Sequence, residues 1–237
     1  YTDFMAGQIS RPPITSEEIA GISTIAVVSG AGMERVYASL GIGAIIAGGQ
    51  TMNPSTQDIL NAINNAKADQ IIVLPNNKNI IPAAQQAGEL AKKQVAIVPT
   101  ITLPQGIAAM LAFNFQNDLD ANAKAMTRGA QHIKTLEITT ATRSVTLDGI
   151  EIKEGQIIGL IDDQLAGAGD TPSAVALKML KQMRTDEGEI ITIYYGNSMT
   201  ANDAEMLSAQ IRGAFPDQEI EIVSGGQPHY HYIISVE

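Results

Sequence analysis

"TIAVVSGAGMERVYASLGIGAIIAGGQ", residues 24–50, decides the fold. It opens on a continuous apolar β-type run, "TIAVVS" (24–29), passes through a helical stretch at about 32–40, and closes on a second run, "AIIAGG" (44–49). Strands that are apolar without polar alternation are covered on both faces, as in a parallel sheet. Two more such runs, "QIIVLP" (70–75) and "QVAIVP" (94–99), alternate with helical stretches at about 56–67, 79–92 and 104–113. Ser55-Thr56-Gln57-Asp58 is a capping-box-like start, with a hydroxyl to accept an N–H and an acid favoured by the helix dipole. Pro82 and Pro104 fall in first turns, where a missing N–H costs least. This alternation predicts an α/β domain over residues 24–115, built on an open, doubly wound, mostly parallel sheet.

The texture then changes. A helix is expected at roughly 119–132. The stretch "TLEITTATRSVTLDGIEIKEGQIIGLIDDQLAGAGD" (135–170) alternates polar and apolar residues and is broken at Asp148-Gly149, Glu154-Gly155 and Asp162-Asp163. These are the turns of an antiparallel meander. A helix at about 172–184, capped by Asp170 or Thr171, leads to "IITIYY" (190–195), a helix near 200–214, "EIEIVSG" (219–225) and "YHYIISV" (230–236). Residues 116–237 are therefore expected to form a second, α+β domain with a mostly antiparallel sheet. Residues 1–23, with Arg11-Pro12-Pro13, read as a linker, and the absence of an initiator methionine suits a piece of a longer protein. The halves echo each other: "IAVVSG" (25–30) and "ITIYYG" (191–196) each lead into a helix and then a strand ending in Gly-Gly-Gln. That is either an old duplication or one strand–turn–helix economy used twice.

Composition mainly excludes. A net charge of −10 and a pI near 4.7 argue against nucleic acid or an anionic membrane surface as partner. With no cysteine, disulfides and thiolate chemistry are ruled out. No apolar run approaches the roughly 20 residues that span a bilayer, and no signal-peptide pattern opens the chain. The expectation is a cytoplasmic protein without membrane insertion.

The first-half strands end in "SGAG" (29–32), "GGQTMNPST" (48–56), "PNNKN" (75–79) and "PTITLPQG" (99–106). In an open α/β sheet these loops share one edge, where ligands and partners dock. Glycines admit close backbone approach, amides offer donors and acceptors, and helix N-termini favour anions. Each loop alone also has a plain structural reading, with Gly48-Gly49 permitting a tight turn and Asn76-Asn77 serving as turn and cap residues. Four polar loops on one edge favour a recognition surface working through neutral hydrogen bonds, with no catalytic residue. Ser29-Gly30-Ala31-Gly32 lacks the third glycine of a dinucleotide fingerprint, Arg35 standing there, and no P-loop occurs. Asp162, Asp163 and Asp170 read as a turn and a cap rather than a calcium loop. His229 and His231 would face one way on a strand but lack a third ligand, so no metal is expected. Tyr194, Tyr195, Tyr230 and Tyr232 are expected to pack the second domain. No Ser/His/Asp triad can be assembled.

Taken in order, "GGQTMNPST", "PNNKNIIPAAQQA", "VPTITLPQGIAAMLAFN", "ATRSVTLDGIEIKEGQIIGLID" and "GGQPHYHYIISVE" resemble the C-terminal region of the bacterial fatty-acid kinase A subunit, whose family was once grouped with the dihydroxyacetone kinases. The resemblance covers residues from about Thr24 to Glu237. It implies a DegV-like fold, and a full-length protein with an N-terminal kinase domain and a middle domain ahead of this region. That kinase phosphorylates a fatty acid, presented by a separate DegV-like fatty-acid-binding subunit, to an acyl phosphate for phospholipid synthesis. The ATP and Mg²⁺ it needs belong to the kinase domain, whose carboxylate cluster has no counterpart here, so no cofactor is expected in this region. The implied role is docking of the kinase and middle domains and of the fatty-acid-binding subunit, with homodimerisation a further option. The matching motif positions, implied as the partner- or ligand-binding surface, are Gly48, Gly49, Gln50, Thr51, Asn53, Pro54, Asn76, Asn77, Gln105 and Gly106. The alternative is a domain that binds a fatty acid or phosphorylated metabolite directly between the two halves.

Overall fold

The computed structural model describes residues 21–50, 52–147, 150–183 and 190–237. The expected Asp148-Gly149 turn and nearly all of the 1–23 segment lie outside them. The first half runs β1 (Ile22–Val28), α1 (Ala31–Ser39), β2 (Ala44–Ala47), α2 (Thr56–Asn65), β3 (Gln70–Leu74), α3 (Ile81–Leu90), β4 (Gln94–Ile97) and α4 (Leu103–Leu111). The four strands pair in the order β2-β1-β3-β4, each pairing parallel. The chain reverses direction between β1 and β3, the point at which such sheets open a crevice.

β1 explains why its sequence does not alternate. All seven of its residues are buried. Ile25 and Val27 enter a core with Ile59 and Ile63 of α2 and Ala84 and Ala87 of α3. Ala26 and Val28 enter a second core with Met33 and Tyr37 of α1 and Ile107 and Met110 of α4. The predicted capping box is present at α2: the Ser55 Oγ accepts the Asp58 N–H at 3.1 Å, and the Asp58 carboxylate accepts the Ser55 N–H at 2.9 Å. That pairing holds the Asp58 carboxyl below its ordinary range.

The second half runs α5 (Leu119–Gln131), β5 (Lys134–Thr140), β6 (Val145–Leu147), β7 (Ile150–Ile152), β8 (Ile157–Ile161), β9 (Gln164–Gly169), α6 (Pro172–Met183), β10 (Ile190–Tyr195), α7 (Ala201–Ala214), β11 (Glu219–Ser224) and β12 (Tyr230–Val236). Although α5 falls in the sequence-defined second half, it packs on α4 and on β3 and β4, burying Met126 and Ala130 in the first-half core. Six strands form a sheet in the order β11-β10-β12-β5-β8-β9, antiparallel apart from β10–β11. Helices α6 and α7 cover one face, on Leu136, Ile138, Tyr232 and Ile234. The opposite face is covered as well: Tyr194 and Ile233 are buried in the core that holds Ala26, Tyr37 and Met126, with Tyr230 packed against it. The two sheets thus share one apolar core.

Both Gly-Gly-Gln segments follow the second strand of a parallel β–α–β unit, β1–α1–β2 and β10–α7–β11. The copy at 225–227 is structural. The Gln227 amide donates to the Tyr194 carbonyl at 2.8 Å, and the Gly225 carbonyl accepts the Met33 N–H of α1 at 2.9 Å. The segment therefore covers the N-terminus of α1, the end that the sequence suggested for an anion. The fit needs glycine: a methyl group on Gly32 would lie 1.7 Å from the Ser224 carbonyl oxygen.

Candidate functional site

The loops after β1, β2 and β3 meet the start of β12 around a cavity of about 400 Å³. Its walls combine apolar groups (Val27, Val28, Leu103, Ile233) with polar ones, among them Ser29, Glu34, Gln50, Asn77, Glu137 and Tyr230. The crevice thus opens where the strand order reverses and is roofed by the second sheet.

The sequence-predicted positions separate into three groups. Gly48, Gly49, Gln50, Asn76 and Asn77 line the cavity. Gly49 and Met52 exchange backbone hydrogen bonds at 3.1 Å, a tight turn that leaves Gln50 and Met52 exposed at its tip. Thr51, within that turn, lies outside the described residues. Asn53 is exposed and Pro54 buried beside it, neither of them on the cavity. Gln105 and Gly106, in the first turn of α4, also stand off it. The Gln105 side chain accepts the Ile101 N–H at 3.0 Å, and Gly106 lets Asn76 and Tyr37 come close, since a methyl there would lie 2.1 Å from Asn76 Oδ1.

Adjacent asparagines have different work. Asn76, buried and at φ 54°, donates through Nδ2 to the Val27 carbonyl and the Tyr37 hydroxyl, both at 2.9 Å. Its Oδ1 accepts from the Thr100 hydroxyl at 2.8 Å, and its N–H donates to the same oxygen at 3.1 Å. The Tyr37 hydroxyl in turn donates to the Leu103 carbonyl at 2.7 Å. Burial, and next the nearby Tyr194, push that hydroxyl well above the usual tyrosine range. Asn76 is thus a brace joining the ends of β1, β3 and β4 to α1. Asn77 faces the rim, where its Nδ2 donates to Gln50 at 2.7 Å and ties the loops after β2 and β3 together.

Sequence reasoning missed Glu137, which lines the cavity from β5 and is only 6% exposed. Burial above all, and then Asp163 and Asp162, push its carboxyl up to about 8, with Lys78 only partly offsetting them. Asp162 and Asp163, both at positive φ, form the predicted β8–β9 turn. Asp163 pairs with Lys78, which extends from the loop after β3, so an ion pair bridges the two halves at the cleft. A buried carboxyl with a strongly raised pKa in a cleft marks a functional site more often than a structural one. The histidines do not form the strand pair expected. His229, at φ 68°, precedes β12, while His231 bonds to Ser198 at 2.8 Å and Thr140 at 2.9 Å. Among the described residues no three His, Asp or Glu side chains gather as a metal site, and no helix is long and apolar enough to cross a membrane.

A parallel and a mixed sheet closing on a cleft at the switch point is the architecture of DegV-like proteins. The DegV family protein Cg2579 of Corynebacterium glutamicum superposes with a TM-score of 0.65 at 15% identity, covering 91% of this chain and 95% of that one. TM841 of Thermotoga maritima, described as having a fatty acid binding function, gives 0.62 at 12% identity, over 91% and 98%. The dihydroxyacetone kinase of C. freundii gives 0.58 at 13% identity, over 93% of this chain and 49% of that one. Sequence places the chain further: residues 23–237 match the FakA-like C-terminal family of fatty acid kinase, and the chain belongs to it. YloV of Bacillus subtilis is 39% identical over 217 residues, covering 92% of this chain and 39% of YloV. The uncharacterized SAR1202 of Staphylococcus aureus is 34% identical over 228 residues, covering 96% and 41%. The chain thus spans about two-fifths of the length of these relatives.

Proposed function

We propose that this chain is the non-catalytic partner-docking region of a fatty-acid kinase. In the full-length protein, a kinase domain using ATP and Mg²⁺ phosphorylates a fatty acid, presented by a DegV-like carrier protein, to acyl phosphate for phospholipid synthesis. This region docks the carrier. The observation that carries the reading is the rim of the cleft, where polar loops from three strand ends are tied to one another and to the fold behind them. A surface already fixed in place loses little freedom on docking, and Gln50, Met52, Asn53 and Lys78 stand exposed on or beside it.

The cavity favours a second reading, direct binding of a small ligand, because about 400 Å³ is within the usual range for such sites. Against a fatty acid stand Glu34 and Glu137 on its walls, which oppose a carboxylate head group by like charge. Calorimetric titration of the chain with the carrier, and separately with free fatty acid, distinguishes the two. Carrier binding without fatty-acid binding is expected. Free-acid binding with no response to carrier would overturn the docking role. Gln50→Ala is expected to weaken carrier binding roughly threefold to tenfold at an unchanged melting temperature, because the side chain is exposed.

A further inference from the structure

We propose that the cleft is a site for a cationic group, an ammonium or a guanidinium on an aliphatic stem, seated on the Glu137 carboxylate. The inference deepens the docking role and rests on it only for where the cation comes from. Glu137 projects from the face of β5 opposite Leu136 and Ile138, which lie in the core under α6 and α7, and it lines the cavity. It is 6% exposed, and among the described residues its carboxyl has no hydrogen-bond partner. The nearest cation, Lys78, is engaged by Asp163. Buried polar groups are almost always satisfied, so a buried carboxyl with spare acceptors facing a cavity is a vacant half of a pair.

The surroundings select the sign of the missing half. Asp162 and Asp163 on the β8–β9 turn, Glu34 on α1, and His229 and Tyr230 at the start of β12 stand around the cleft with Lys78. Its charge is therefore acidic, and a carboxylate or phosphate ligand would meet repulsion where a cation meets an acceptor. Val27, Val28, Leu103 and Ile233 supply an apolar wall for the stem, as the methylenes of a lysine or arginine require. The carboxyl, raised to about 8 in the empty cleft, gives up its proton as a cation arrives, so binding strengthens as pH rises towards that value.

Titration of the chain with hexylammonium, and with hexanoate as the anion of matched length, tests this by amide chemical shifts. Hexylammonium is expected to saturate shifts around residues 27–30, 47–50, 75–77 and 228–233, more tightly at about pH 8 than at about pH 6. Glu137→Gln keeps the shape of the neutral acid; it is expected to melt no lower than wild type and to bind hexylammonium roughly tenfold or more weakly. Equal binding by Glu137→Gln, or hexanoate saturating these amides while hexylammonium does not, would overturn the proposal. The carrier arm identifies the source. Carrier displaced by hexylammonium and weakened by Glu137→Gln supplies the cation from a basic side chain. Carrier that binds both forms equally, alongside hexylammonium, docks on the rim and leaves the cleft to a free amine. Failure of the carrier to bind the wild type sinks the docking role, while the hexylammonium titration still decides the cation site.

Discussion

Asn76 is the residue on which the rim depends. Removing its side chain leaves the Val27 carbonyl and the Thr100 hydroxyl without that partner in a buried setting and takes a donor from Tyr37. Alanine also tolerates φ 54° less readily than asparagine. Asn76→Ala is expected to cost about 3 kcal/mol and to lower the melting temperature by roughly 6–12 °C. Asn77→Ala breaks only an exposed bond to Gln50 and is expected to shift it by no more than about 2 °C. Glu137 leaves its mark on pH dependence. Its folded-state pKa, about 8, lies above the ordinary value of 4.5, so the folded chain binds this proton more tightly than the unfolded one. That contribution is fully present below the ordinary value, is lost as pH rises between the two values, and levels off above the upper one. The melting-temperature advantage of Glu137→Gln over wild type is therefore expected to grow across that window and then stay constant. A gap independent of pH would show that Glu137 is not held as the neutral acid.

Elements were legible in proportion to how locally they are determined. The parallel strands announce themselves because burial on both faces writes continuous apolar runs, and the Ser55–Asp58 cap and the Asp162–Asp163 turn are completed within a few residues. The parallel pairing of β11 was hidden, since "EIEIVSG" alternates like an antiparallel strand. Glu137 was hidden for the same reason: in "TLEITT" (135–140) it occupies what reads as the solvated face. What covers that face comes from the first half of the chain. The β8–β9 turn offers a test of this cross-chain electrostatics. Asparagine accepts the φ of 64° at Asp163, so Asp163→Asn keeps the hairpin while removing the carboxylate that pairs with Lys78. With Lys78 half exposed, the loss is expected to cost less than about 1 kcal/mol. Glu137 loses a like charge and gains access to Lys78, so its titration midpoint, followed by carboxyl carbon NMR, should fall below about 8. A midpoint that stays or rises would mean that burial alone sets it.

At the scale of the whole molecule, the two sheets are joined in a way their separate sequence signatures do not convey. Tyr194 and Ile233 of the mixed sheet are buried in the same core as Ala26, Tyr37 and Met126 of the first half. Backbone meets backbone where Gly32 packs on Ser224 and the Met33 N–H donates to the Gly225 carbonyl. Neither sheet can open without exposing apolar surface of the other, so a single cooperative thermal transition is expected. The chain supplies its own probes. It has no tryptophan, and Tyr194, Tyr195, Tyr230 and Tyr232 all report on the mixed sheet. The helical far-ultraviolet signal comes largely from α1 to α5, which surround the parallel sheet. The tyrosine near-ultraviolet melt and the helical melt should therefore coincide, and two separated curves would refute the shared core. Gly32→Ala sharpens the test. Its methyl, 1.7 Å from the Ser224 oxygen, forces the seam apart at a cost of about 3 kcal/mol, a fall of roughly 6–12 °C. If the seam couples the halves, both melts move down together; if it does not, only the helical melt moves.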